Sequence, residues 1–106
     1  MVFNVAILQG LNKITARIST IEAPIGMAVR FGNLEIIARA CWKSPPEGPQ
    51  ESAALLDVWD MKPGEKPEQV FLGWMFASSP ALSALEHAVY DVTVLECKAK
   101  NMEEVQ

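Results

Sequence analysis

The chain has 106 residues, half of them hydrophobic and 21% charged, with a formal net charge of −4. That length holds one domain with a core of its own, and the composition is that of a folded protein rather than a disordered one. Lys and Arg number nine against thirteen Asp and Glu and form no cluster, so the basic footprint that nucleic-acid binding requires is missing and no nucleic-acid partner is expected. No apolar run approaches the roughly 20 residues that a membrane-spanning helix needs.

The pattern sets a single β-rich domain over 1–100 and a polar tail over 101–106. "MVFNVAILQGLNK" is apolar but lacks the charged start and cleavage site of a secretory leader. The chain is therefore expected to be either cytosolic or a mature form without its leader. Most of the remaining segments alternate with period two. "VAIL" reads as a strand, and Lys13 to Glu22 as another, with Ile14, Ala16 and Ile18 on one face. In "MAVRFGNLEIIARACW", Gly32-Asn33 suits a two-residue hairpin turn. Its register sets Phe31 against Leu34, Val29 against Ile36, Met27 against Ala38 and Arg30 against Glu35. Ile37 and Cys41 then share the Arg30 and Glu35 side.

"KSPPEGPQES" is too rich in proline for a strand or helix interior and reads as a stiff loop, with Pro45 and Pro46 as candidate contacts for a proline-reading partner. "AALLDVWD" and "QVFLGWMFA" form a second hairpin. Ser79-Pro80 before "ALSALEH" predicts a helix over 80–87, capped by Ser79. "VYDVTVLEC", apolar on both faces, is expected to be a central strand. The fold class is all-β, a sandwich or partly open barrel of about six or seven mainly antiparallel strands with one short helix. The alternative is α+β, with the helix lying on a sheet face.

Candidate chemistry is sparse. Ser83, His87 and Asp91 supply the residue types of a hydrolase, Ser83 standing one helical turn before His87, but no nucleophile-elbow glycines surround the serine. Ser79 is too far from His87 on a helix to meet it. Asp57 with Asp60, and Glu86 with Asp91, are carboxylate pairs that read as solvated acids. One histidine and scattered acids leave no metal ligand set, and no cofactor motif is present. Trp42 and Trp74 read as core, while Trp59, sharing a face with Leu55 and Asp57, is the candidate binding aromatic. Cys41 and Cys97 read either as one disulfide or as two reduced buried thiols.

"GLNKITARISTIEAPIGMAVRFGNLEIIARACWKSPP" together with "FLGWMFASSPALSALEHAVYDV" and the closing "LEC" resembles a bacterial family known as domain of unknown function 2155, over residues 10 to 97. Ala88 stands where the family usually has proline, and Thr93 where it usually has tryptophan. The resemblance implies an exported protein of Gram-negative bacteria, hence a periplasmic home, and it favours the Cys41–Cys97 bridge. It brings no activity, ligand or catalytic residue. The function expected on these grounds is a non-catalytic periplasmic module binding a protein or cell-envelope component. A small-glycan binder using an exposed tryptophan is the variant, and the hydrolase is the alternative from another class.

Overall fold

The computed structural model describes residues 3–81 and 84–100. Among the described residues seven strands make two sheets. They are β1 (Val5–Asn12), β2 (Arg17–Pro24), β3 (Ala28–Phe31), β4 (Leu34–Lys43), β5 (Ser52–Asp60), β6 (Glu68–Phe76) and β7 (Tyr90–Lys98). One sheet has the order β2-β1-β7 and the other β3-β4-β5-β6, with every pairing antiparallel. The fold is an all-β sandwich with no closed barrel. The expected tail 101–106 lies outside the described residues.

Alternation selects the buried faces. Ala6, Leu8, Val92 and Val94 of the smaller sheet meet Leu34, Ile36, Ala38, Ala54, Leu56, Val58 and Met75 of the larger in one buried cluster. Burying a side chain of this size contributes about 1.5–3 kcal/mol. The hairpin forms as the sequence predicts: Phe31 pairs with Leu34, Arg30 with Glu35 and Val29 with Ile36. Gly32 at its turn has φ 58°, and a Cβ there would overlap the Tyr90 ring. The ladder starts at Ala28, however, so Met27 does not oppose Ala38; the Gly26 N–H instead donates to the Ala38 carbonyl at 2.8 Å.

Several expectations give way to local chemistry. The strand expected from Lys13 begins only at Arg17. Asn12 Oδ1 accepts hydrogen bonds from the N–H groups of Ile14 (3.0 Å) and Thr15 (3.2 Å), and Ala16 turns the chain with φ 59°. This side-chain-capped turn outcompetes continuation of the ladder. β7 is an edge strand, not a central one. Its second apolar face reduces to Leu95, 42% exposed at a register shift, so the strand is buried on one side only.

Among the described residues the helix expected over 80–87 is absent: Pro80 and Ala81 lie in a turn, residues 84–87 have no regular structure, and Leu82 and Ser83 lie outside the described residues. The reason is reach. β6 and β7 both run toward the end where β4 gives way to β5, so residues 77–89 must return along a strand length of about 30 Å. An eight-residue helix would advance only about 12 Å, leaving five residues nearly fully stretched. The described residues of the segment form turns, bends and irregular chain instead, and Leu85 is buried in the core, 3% exposed.

Candidate functional site: the outer face of the four-stranded sheet

The registers of β4, β5 and β6 set four rows of side chains on the face turned away from the core. In order they are Trp42–Ala53–Phe76, Ala40–Leu55–Trp74, Ile37–Asp57–Leu72 and Glu35–Trp59–Gln69. A register shift between Ala38 and Ala40 makes this possible. It turns Arg39 into an extra residue and reverses the parity of all that follows, so that Trp42 points outward and Cys41 inward. The expectation of two core tryptophans is corrected accordingly. Trp42 is 50% exposed, Trp74 41% and Leu72 60%, whereas Trp59, the candidate binding aromatic, is half-buried.

Trp42, Ala53, Trp74 and Phe76 line an open apolar depression of about 410 Å³. Two rows away lies a polar centre. Asp57 is buried on this face. Arg39 Nη2 donates to its Oδ2 at 3.0 Å and Gln69 Nε2 to its Oδ1 at 2.8 Å. Burial works to raise the Asp57 carboxyl, but hydrogen bonds from Gln69, Arg39 and Trp59 outweigh it and hold the group below the ordinary aspartate range. The Arg39 side chain, 49% exposed, keeps further N–H donors for a ligand.

The residues named from the sequence fall elsewhere. Asp57 and Asp60 point to opposite faces of β5, so they form no carboxylate pair. His87 lies at the far end of the sandwich, where its Nε2 meets Asp60 Oδ2 at 2.8 Å. Its Nδ1 accepts the N–H groups of Val89 (3.0 Å) and Tyr90 (3.2 Å). These two donors assign the proton to Nε2, which donates to the carboxylate. Both ring nitrogens are thus engaged inside the protein. Among the described residues no hydrogen bond joins His87 to Asp91, and Ser83 lies outside them. Asp60 as the partner of His87 carried no sequence signal, because the two are 27 residues apart and meet only through the return of the chain after β6.

Pro45 and Pro46 lie in the loop after β4, which Ser44 closes on itself. Its Oγ donates to the Pro49 carbonyl at 3.0 Å and accepts the Glu51 N–H at 2.8 Å. Pro45 and Pro46 are close in sequence to Trp42, at the same end of the sheet. Cys41 and Cys97 stand at disulfide distance between the two sheets, their Cα atoms 5.9 Å apart. Cys41 is therefore not on the Arg30 and Glu35 side, the register shift having carried it inward. A matching shift in β7 carries Cys97 inward opposite Ala6.

A family described as "Uncharacterized protein conserved in bacteria (DUF2155)" matches residues 6–97. The chain belongs to this family. A curated relative, uncharacterized protein RP359 of Rickettsia prowazekii (strain Madrid E), is 36% identical over 87 residues, which cover 82% of this chain and 56% of the relative. The chain thus spans little more than half the length of that relative. No solved structure matches it. The matched residues take in all of β2 to β6 and the two cysteines, and with them the whole outer face.

Proposed function

We propose that this member of the family is a non-catalytic periplasmic binding module, and that its outer four-stranded face grips a glycan of the cell envelope. The observation that carries the reading is the exposure of Trp42, Trp74 and Leu72 on one sheet face, in rows continuous with the Arg39–Asp57–Gln69 network. A soluble domain gains nothing in stability from large aromatics left in water, and such patches mark contact sites. A sugar ring offers both matching chemistries: an apolar C–H face for the indoles, and hydroxyl groups for the free donors of Arg39 and the exposed amide of Gln69. The periplasmic part of the reading is supported by the Cys41–Cys97 pair, since disulfides persist in oxidising compartments.

Titration of the protein with soluble cell-wall glycan fragments, followed by tryptophan fluorescence and calorimetry, tests this directly. Trp42→Ala and Trp74→Ala are each expected to weaken binding about tenfold or more, equivalent to roughly 1.4 kcal/mol. Absence of any glycan binding by the wild-type chain, with a protein retained through the same face, would replace the glycan by a protein partner. Equal binding by both variants would remove the face from the function.

A further inference from the structure

Of the four outer rows, only Trp42–Ala53–Phe76 sets a small side chain between two aromatic ones. Alanine is a poor strand former, so strand propensity does not explain Ala53. Trp42 stands on β4 to one side of it, and Phe76 with Trp74 on β6 to the other, around the open depression of about 410 Å³. Strands on either side of a third lie roughly 9–10 Å apart. Full contact with both walls takes about 3.5–4.0 Å on each side, so the walls accept a single layer of atoms between them. The lining side chains carry no oxygen, and their only polar atoms are the indole N–H groups of Trp42 and Trp74. A sugar hydroxyl lowered into the depression would give up water with no acceptor there to replace it.

The charges of the face set a second condition. Arg30 stands opposite Glu35 and Arg39 is bonded to Asp57, so each base on these rows has an acid beside it. A charged ligand would meet no uncompensated opposite charge. We infer, resting on the glycan reading of this face, that the ligand is an uncharged oligosaccharide bearing acetamido groups, and that Ala53 and Phe76 select the acetyl group. An acetamido substituent is planar and ends in a methyl, which matches an apolar slot one layer wide. Its methyl would sit above Ala53 between Trp42 and Phe76, while its N–H and carbonyl stay at the open mouth in reach of water and the indole donors. The hydroxyl groups then fall to Arg39 and Gln69. Asp57, which holds both, is four residues from Ala53 along β5, about 13 Å. That is further than one sugar ring reaches, so more than one unit is engaged.

Calorimetric titration of the disulfide-intact chain with the tetrasaccharide of N-acetylglucosamine, and with the glucose tetrasaccharide of the same linkage, isolates the acetamido group as the one difference between the ligands. The acetylated ligand is expected to bind about tenfold tighter or more, the range that a small apolar group in an apolar pocket supplies. Ala53→Val raises the floor and Phe76→Ala removes a wall. With circular dichroism unchanged, each should bring affinity for the acetylated ligand down toward that for the glucose ligand and leave the latter within about twofold. Added salt should change neither affinity. The wild-type comparison holds whether or not either variant folds. Equal binding of the two ligands by wild type, an acetyl preference that survives both variants, or tighter binding of a galacturonate oligomer that salt abolishes would overturn the inference and leave the glycan reading in place. Binding of none of these sugars by wild type would remove both.

Discussion

Gly32 combines two constraints that are separable by mutation. Its φ of 58° lies in the left-handed region, as does that of Gly64 at 78°, but only Gly32 faces the Tyr90 ring; a Cβ at Gly64 would meet nothing within 4 Å. Gly64→Ala should therefore cost about 1–2 kcal/mol for the backbone alone, and Gly32→Ala distinctly more, measured by urea unfolding. His87 is a second single-residue clamp. With side-chain exposures of 12% and 3%, the His87–Asp60 pair is buried, and among the described residues Asp60 Oδ1 has no hydrogen-bond partner. His87→Ala would leave the carboxylate with only Lys62 Nζ, 3.7 Å from Oδ2, and would strand the N–H groups of Val89 and Tyr90, so a loss of about 2–4 kcal/mol is expected. That exceeds what a terminal helix residue would show. Asp57 supplies a pH signature. Its carboxyl is held below the ordinary range, so its contribution is present at neutral pH and is lost as pH falls through its folded-state value. Melting temperatures of wild type and Asp57→Asn should differ near neutrality and converge in acid.

Among the elements, the strands were legible and the irregularities between them were not. Period-two alternation located β4 to β7 and the Gly32-Asn33 hairpin with its register, because one-sided burial writes itself into the chain. Bulges leave no such trace. Arg39 and Leu95 look like ordinary strand residues, yet the register shifts there decide which side Cys41, Trp42 and Cys97 occupy. Strict alternation beyond Ala38 therefore inverted the candidate site, hiding Trp42 in the core and leaving Cys41 with Arg30. The 77–89 segment misled for another reason: Ser79-Pro80 is a sound local start signal, but the return along the sandwich overrides it. The N–H of Ser79 only closes a turn on the Phe76 carbonyl at 3.2 Å, while Ser78 holds Glu51 through both its hydroxyl and its N–H. Ser79→Ala should consequently leave the melting temperature in place, and Ser78→Ala should lower it. Both cysteines, turned inward by bulges, are placed to tie one sheet to the other across a separation of 56 residues. Closing a loop of that length would stabilise by about 4 kcal/mol in the chain-entropy model, and denaturant midpoints with and without reductant should differ in that sense.

At the scale of the whole molecule, a three-stranded sheet covers a four-stranded one, and the larger sheet divides its apolar residues between two faces with different duties. The inner rows, such as Ile36–Val58–Phe71 and Ala38–Leu56–Gly73, are sealed by β1, β7 and the Leu85 segment. The outer rows hold Trp42, Leu72 and Trp74, side chains of equal or greater size, in contact with water. If both faces served stability, truncation would cost similar amounts on either. The structure predicts otherwise. Leu56 has no exposed surface, and Leu56→Ala should cost about 2–5 kcal/mol through lost transfer energy and the cavity left behind. Trp42 removes a larger side chain but half of it already faces solvent, so Trp42→Ala should stay within about 1 kcal/mol. Urea unfolding of the two variants beside wild type compares the faces on one scale. A Trp42→Ala loss as large as that of Leu56→Ala would mean that the outer aromatics hold the sheet together, and that their exposure serves the fold rather than recognition.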